Sequence, residues 1–174
     1  MNNNINTPYF VLDRKILTDE VNRCNSAITT YWPDTIIAYS IKTNSLPYLA
    51  KMLNEQGIYA EVVSEDEYEM VSLCGYKPNH IVCNGPIKSK EFIARLLDDE
   101  EMVNIDSHVE LLYVISYAKE HPERNFKVGL RVNVDIEKYF PTESKAGEQG
   151  SRFGFCMENE ELTNAISILN KCPN

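Results

Sequence analysis

Three side chains in this 174-residue chain sit where a charged group is out of place unless it has work to do. Lys42 ends an apolar, β-branched run, Ile36-Ile37-Ala38-Tyr39-Ser40-Ile41-Lys42, which Thr43-Asn44-Ser45 and Pro47 close as a loop. A neutral lysine amine attacks an aldehyde carbon to give an imine, the reaction by which proteins carry aldehyde cofactors. The ordinary lysine pKa is about 10.4, so such an amine calls for a desolvated pocket. Ala38 and Ser40 share the lysine's face of the strand by the two-residue alternation, and small residues there leave room for a ligand. Arg131 lies within Lys127–Val134, two residues after Gly129, so a long cation stands beside a gap. It suits an anionic cofactor oxygen, or equally an ion pair with Glu61 or Asp106. Glu61 lies within Tyr59–Val63, where a carboxylate is costly unless paired. The bland alternatives are a surface lysine whose stem covers apolar ground and structural ion pairs for the other two.

The elements that must position them follow a strand–helix rhythm. Tyr9–Leu12 reads as a short strand, and Asp13 as the cap of a helix with Leu17, Val21, Cys24, Ile28 and Tyr31 on one face. After the lysine strand, Leu46, Leu49, Ala50 and Leu53 make a helical stripe that Gly57 stops. Tyr59–Val63, His80–Cys83, Met102–Ile105 and Lys127–Val134 are the next strands. Ser64 with Glu67, and Ser107 with Glu110, are capping boxes, and Ser89 caps a helix carrying Phe92, Ile93, Leu96 and Leu97. Residues 138–151 form a polar loop, mobile or ligand-covering, and a last helix runs over 158–170. Alternating strands and helices call for a parallel sheet with helices outside, either doubly wound or a barrel. In both, function gathers at the carboxyl ends of strands, here Lys42, Ser64, Asn84-Gly85, Asp106 and Asn133. No GxGxxG follows the first strand, and no Walker or GxSxG motif is present.

Composition narrows the class. Hydrophobic residues make up 43% and charged residues 25%, as in ordinary globular proteins. A net charge of −9 argues against a nucleic-acid partner. No apolar run reaches membrane-span length, and the first residues carry neither the basic nor the apolar region of a signal peptide, so the expected location is cytoplasmic, with no membrane partner. The five cysteines form no CxxC pair and read mainly as small buried hydrophobes. The three histidines lack ligand spacing, so no metal site is expected.

Taken together, the strand ends resemble a known family. Tyr39-Ser40-Ile41-Lys42-Thr43-Asn44 is similar to the Y-A-V-K-A-N segment of the fold-type III pyridoxal-phosphate decarboxylases, the diaminopimelate, ornithine and arginine decarboxylase group related to alanine racemase. Ala60-Glu61-Val62-Val63-Ser64 with Glu67 resembles x-D-V-A-S-x-x-E, and Ile81–Ser89 resembles I-x-F-N-G-P-x-K-S. Val103–Ser107 with Glu110 resembles x-N-V-D-S-x-x-E. Leu130-Arg131-Val132-Asn133 and Ser151-Arg152-Phe153-Gly154-Phe155 resemble L-R-V-N-P and S-K-F-G-I. The segments run in the family's order over nearly the whole chain, which makes the set specific where each alone is weak.

The resemblance implies an alanine racemase-like parallel (β/α) barrel of TIM type, present as roughly its first five β/α units. A complete barrel takes about 250 residues, so the chain reads as the first part of a larger protein. Residues 1–35 would lead into the barrel, with Pro8–Leu12 the strand lent to a second, β-barrel domain, and residues 36–174 would be the partial barrel. That C-terminal domain is absent from this sequence, as are the stacking histidine, the glycine-rich phosphate site and the acidic partner of the pyridine nitrogen. The resemblance further implies pyridoxal 5′-phosphate as cofactor and Lys42 as its covalent anchor through the internal aldimine. Arg131 would lie on the phenolic side of the ring, and Glu61 would be a carboxylate of the site wall. It implies a decarboxylase of a basic or dicarboxylic amino acid, a homodimer when full-length, with the chain alone inactive. A racemase of the same fold, or a truncated cofactor-binding or regulatory protein, are the alternatives. The stretch 135–150 departs from the family's T-H-x-Y-I-S-T-G wording, which leaves the amino acid open.

Overall fold

The computed structural model describes residues 8–136, 140 and 153–172. The chain divides into two compact units, residues 1–37 and 38–174.

The first unit is built on one helix, α1 (Arg14–Tyr31). Asp13 Oδ1 accepts from Ile16 N at 3.1 Å, the expected cap, and the Trp32 N–H closes the other end on Ile28 O. None of the α1 side chains is buried. The expected strand over Tyr9–Leu12 is not formed; these four residues are exposed. A strand exists through its ladder, and among the described residues none pairs with this segment.

The second unit carries the sheet. Its strands are β1 (Ala38–Ser40), β2 (Tyr59–Val62), β3 (Ile81–Cys83), β4 (Met102–Ile105) and β5 (Val128–Leu130), all parallel and hydrogen-bonded in chain order. Between them run α2 (Pro47–Glu55), α3 (Glu65–Leu73), α4 (Lys90–Asp98) and α5 (His108–Glu120). A doubly wound sheet reverses its strand order at a switch point; here each strand simply adds beside the last, which is barrel growth. The fold is therefore a partial TIM-type barrel.

The two faces of the sheet differ as the alternation dictates. Ala60, Val62, Ile81, Cys83, Val103 and Ile105 point to the helices and are buried. Register places Ser40 beside Glu61, Glu61 beside Val82, and Asn104 beside Gly129 on the other, more polar face. Each helix supplies an apolar stripe to the first face. For α4 the stripe is Phe92, Ile93, Leu96 and Leu97, all buried, each burial stabilising by about 1.5–3 kcal/mol. The expected caps hold: Ser64, Ser89 and Ser107 Oγ accept from the N–H groups of Glu67, Phe92 and Glu110. In both capping boxes the glutamate reaches one residue further back than the motif requires. Glu67 accepts from Val63 N and Glu110 from Asp106 N.

Two strands are shorter than the sequence pattern suggests. Residues 36–44 give only Ala38–Ser40, followed by a 3₁₀ turn over Ile41–Thr43. There the Thr43 hydroxyl donates to Ser40 O at 2.7 Å and Asn44 N to Ile41 O, which turns the chain out of the ladder. Residues 127–134 break at Arg131, whose N–H donates to Ile105 O in the main sheet while its C=O accepts from Phe155 N. The chain then enters a separate parallel pair, β6 (Val132–Asn133) with β7 (Phe155–Cys156), which the sequence pattern did not reveal. The last helix, α6 (Glu161–Leu169), starts later than expected because Glu160 sits at φ 70. The polar loop over 138–151 falls outside the described residues apart from Phe140, as do Ser151 and Arg152. Of the cysteines only Cys83 is buried; Cys24 is exposed, the others are half-buried, and all five are free.

Candidate active site

At the carboxyl ends of the strands lies a cleft of about 590 Å³, within the range of small-molecule sites. Lys42, Glu61 and Arg131 all line it, so the fold brings the three sequence candidates to one place from three different strand ends. Lys42 arrives on the turn after β1 and is exposed, where the sequence pattern suggests a desolvated pocket. Glu61 stands on the polar face of β2, half-buried. Arg131 stands at the break between β5 and β6, its side chain 42% exposed.

Arg131 meets the ion-pair alternative as well as the cleft. Its Nη1 donates to Asp106 Oδ2 at 2.7 Å, and its guanidinium lies 4.8 Å from the centre of the Phe153 ring, which also lines the cleft. Glu61 is not the partner of this pair. Gly154, at φ +75, brings its backbone so close to Arg131 that a Cβ would lie 2.5 Å from Arg131 O.

Two asparagines complete the wall. Asn84, at the end of β3, and Asn104, on β4, are joined by a hydrogen bond from Asn104 Nδ2 to Asn84 Oδ1. The strand-end rule pointed to Asn84; Asn104 was recognisable as the polar residue of an otherwise apolar Met102–Ile105 run and as a letter of the Val103–Ser107 motif. Phe153 was legible only as part of a motif. Cys83, next to Asn84 in sequence, faces the helices instead, and burial pushes its thiol up to about 11, so it stays protonated and inert.

The residues present fit the ring half of pyridoxal phosphate. Lys42 offers an amine for an aldehyde carbon, and Glu61 and Arg131 offer one group of each charge for polar ring substituents. In register with Glu61 on the neighbouring strand, the buried Ser40 hydroxyl has no hydrogen-bond partner among the described residues.

Comparison with known proteins agrees with this chemistry. The chain matches the family described as "Pyridoxal-dependent decarboxylase, pyridoxal binding domain" over residues 18–171. It is 29% identical over 149 residues to the diaminopimelate decarboxylase of Aquifex aeolicus, covering 85% of this chain and 34% of that protein. It is 28% identical over 167 residues to the Methanocaldococcus jannaschii enzyme of the same name, covering 93% and 38%. The chain thus spans little more than a third of the length of these curated relatives. The crystal structure of diaminopimelate decarboxylase from M. jannaschii in complex with L-lysine superposes with a TM-score of 0.81 at 28% identity, over 95% of this chain and 39% of that one. The Helicobacter pylori enzyme complexed with L-lysine shares the fold, with a TM-score of 0.76 at 22% identity. With a match that runs from residue 18 to residue 171, the chain belongs to the pyridoxal-binding domain family of the pyridoxal-dependent decarboxylases.

Proposed function

We propose that Lys42 is the covalent anchor of pyridoxal 5′-phosphate, with Arg131 and Glu61 as its ring contacts, in a protein that decarboxylates diaminopimelate. The observation that carries this reading is the convergence of Lys42, Glu61 and Arg131 on one cleft at the strand ends. Residues 36–174 are the cofactor-binding barrel portion and residues 1–35 lead into it. When bound, the cofactor supplies an aldehyde and an electron-withdrawing ring that takes up the electrons of the breaking Cα–carboxylate bond. Lys42 holds it, and as an exposed amine on a turn it is free to give way to a substrate amine. Arg131 presents positive charge to an anionic ring oxygen, and Glu61 a hydrogen-bond acceptor on the adjacent wall.

Diaminopimelate is favoured over ornithine or arginine because the relatives named above are diaminopimelate decarboxylases and two solved neighbours hold L-lysine. The same names favour decarboxylation over racemisation. The reading includes a homodimer and a cytoplasmic setting; among the described residues no helix is long and apolar enough to cross a membrane.

Borohydride reduction of the protein mixed with pyridoxal phosphate tests the anchor. Peptide mass mapping should find the cofactor fixed to Lys42 and to no lysine of Lys42→Ala. Label on a different lysine, or none, overturns the assignment. Carbon dioxide release by the full-length protein from diaminopimelate, and not from lysine, ornithine or arginine, tests the substrate.

A further inference from the structure

The wall that presents Arg131 is held from behind by groups that do not line the cleft. Asp106 follows the last residue of β4, and its side chain is 4% exposed against 42% for Arg131. One carboxylate oxygen, Oδ2, accepts from Arg131 Nη1 at 2.7 Å; the other, Oδ1, accepts from Gly154 N at 2.9 Å. Asp106 is itself fixed, because its N–H donates to Glu110 Oε2 at 2.8 Å. That same oxygen pairs with Lys88 Nζ at 2.9 Å, and Glu110 Oε1 accepts from Lys88 N at 2.9 Å.

From this geometry we infer that Asp106 is a positioning residue for cofactor binding, acting through the guanidinium of Arg131. An arginine side chain has several rotatable bonds and is half in solvent here, so its direction is not set by packing alone. A buried carboxylate at one Nη, with the Phe153 ring against the guanidinium, leaves its remaining donors available to the cleft. The carboxylate in turn cannot swing, because its second oxygen is taken by Gly154 and its backbone by Glu110. Preorganised donors bind more tightly than donors that must first be ordered. The inference rests on the reading of Arg131 as a cofactor contact.

The test is a double-mutant cycle read as the affinity for pyridoxal phosphate, by spectral titration, in native protein, Asp106→Asn, Arg131→Met and the double variant. Asn keeps an oxygen for Gly154 N and nearly the same volume, and urea unfolding of each variant checks the fold. Both single variants should bind about tenfold more weakly, and the double variant no more weakly than Arg131→Met. A loss on Asp106→Asn that is as large in the Arg131→Met background as in the native one overturns the positioning role, as does native affinity in Asp106→Asn. Native affinity in Arg131→Met would instead overturn the underlying reading of Arg131. Should Asp106→Asn unfold, Asp106→Glu keeps the charge and displaces it by one methylene. Weakened binding that vanishes as a difference in the Arg131→Met background carries the proposal, and native binding sinks it.

Discussion

The Lys88 ammonium lies 2.9 Å from Glu110 Oε2, with the two side chains 0% and 3% exposed. Lys88 also donates to Gly85 O, so the pair ties the loop after β3 to the start of α5. Removing one partner leaves the other charge buried and alone, which costs about 3–5 kcal/mol. Glu110→Gln and Lys88→Met should each lower the urea unfolding free energy by that order. Lys88→Met combined with Glu110→Gln should lose less than the two singles added together. A loss below about 1 kcal/mol in both singles would show that the pair is not a buried anchor.

Glu100 should be improved by glycine. Helices α2, α3 and α4 end alike, with a left-handed residue and a return N–H bond: Ile58 N to Leu53 O, Tyr76 N to Val71 O and Glu101 N to Leu96 O. The left-handed residue is Gly57 in the first and Gly75 in the second, but Glu100, at φ 57, in the third. A side chain in that region costs about 1–2 kcal/mol. Glu100→Gly should therefore raise stability by about 1 kcal/mol in chemical denaturation, the entropy of a freer unfolded chain offsetting part of the gain. A destabilised variant would mean that the Glu100 side chain makes a contact worth more than the strain.

These repeated helix ends also show what the sequence disclosed and where it fell silent. The caps at Ser64, Ser89 and Ser107, the stop at Gly57 and the apolar stripes were legible because each depends on residues within a few positions of one another. Lys42 stood out as a cation at the end of an apolar run, but locally it reads equally as a surface lysine; its place in the cleft comes from the turn that ends β1 at Ser40. The break at Arg131 was not, since Lys127–Val134 alternates without interruption; it is imposed by Phe155, whose N–H takes the Arg131 carbonyl from 24 residues along the chain. The separation of Arg131 from Glu61, and its pairing with Asp106, was equally a tertiary choice between two carboxylates that the pattern left equal. Lys88 stood in the sequence only as one letter of the Ile81–Ser89 motif, and the fold is what shows it shut against Glu110.

Glu101 should make the stability fall as pH rises. At the third of the matching helix ends it takes the place held by the buried Ile58 and Tyr76, and it is itself 3% exposed. Neither of its oxygens is in full hydrogen-bond geometry with a partner among the described residues, the nearby Tyr68 hydroxyl donating to Asp99 instead. Burial, with Asp99 nearby, pushes its carboxyl up to about 8 from the usual carboxylate range; the Tyr68 hydroxyl and the Arg95 guanidinium act in the opposite direction. The folded protein thus holds a proton that the unfolded chain releases in mildly acidic solution. Its stabilising effect is complete below about pH 4.5 and is lost as pH rises through about 8. In that window this one group contributes a slope of up to about 1.4 kcal/mol per pH unit. Glu101→Gln should flatten the slope between pH 5 and 8 in urea titrations. A profile unchanged by the substitution would show that Glu101 ionises freely in the folded state.

Gly85 and Gly129 should respond differently to alanine, because different atoms stand in the way. A Cβ on Gly85 would lie 2.1 Å from the carbonyl oxygen of Val63, main chain that borders the cleft. That carbonyl belongs to the segment leading into α3, whose position is fixed by Ser64 and Glu67, so relief requires moving a strand end. Overpacking of this kind costs about 1–3 kcal/mol or more, and Gly85→Ala should show it in unfolding experiments. A Cβ on Gly129 would lie 1.8 Å from Asn104 Oδ1, the end of a side chain that can rotate away. Gly129→Ala should then be the milder change in stability, below about 1 kcal/mol, since only a side-chain rotamer need shift. Rotation breaks the bond between Asn104 and Asn84 in the cleft wall, so the loss should appear as weaker pyridoxal phosphate binding. Adding Asn104→Ala to Gly129→Ala removes the clash but not the loss of the amide. Binding should stay weak in that pair while stability returns, and recovery of both together would assign the effect of Gly129→Ala to backbone strain.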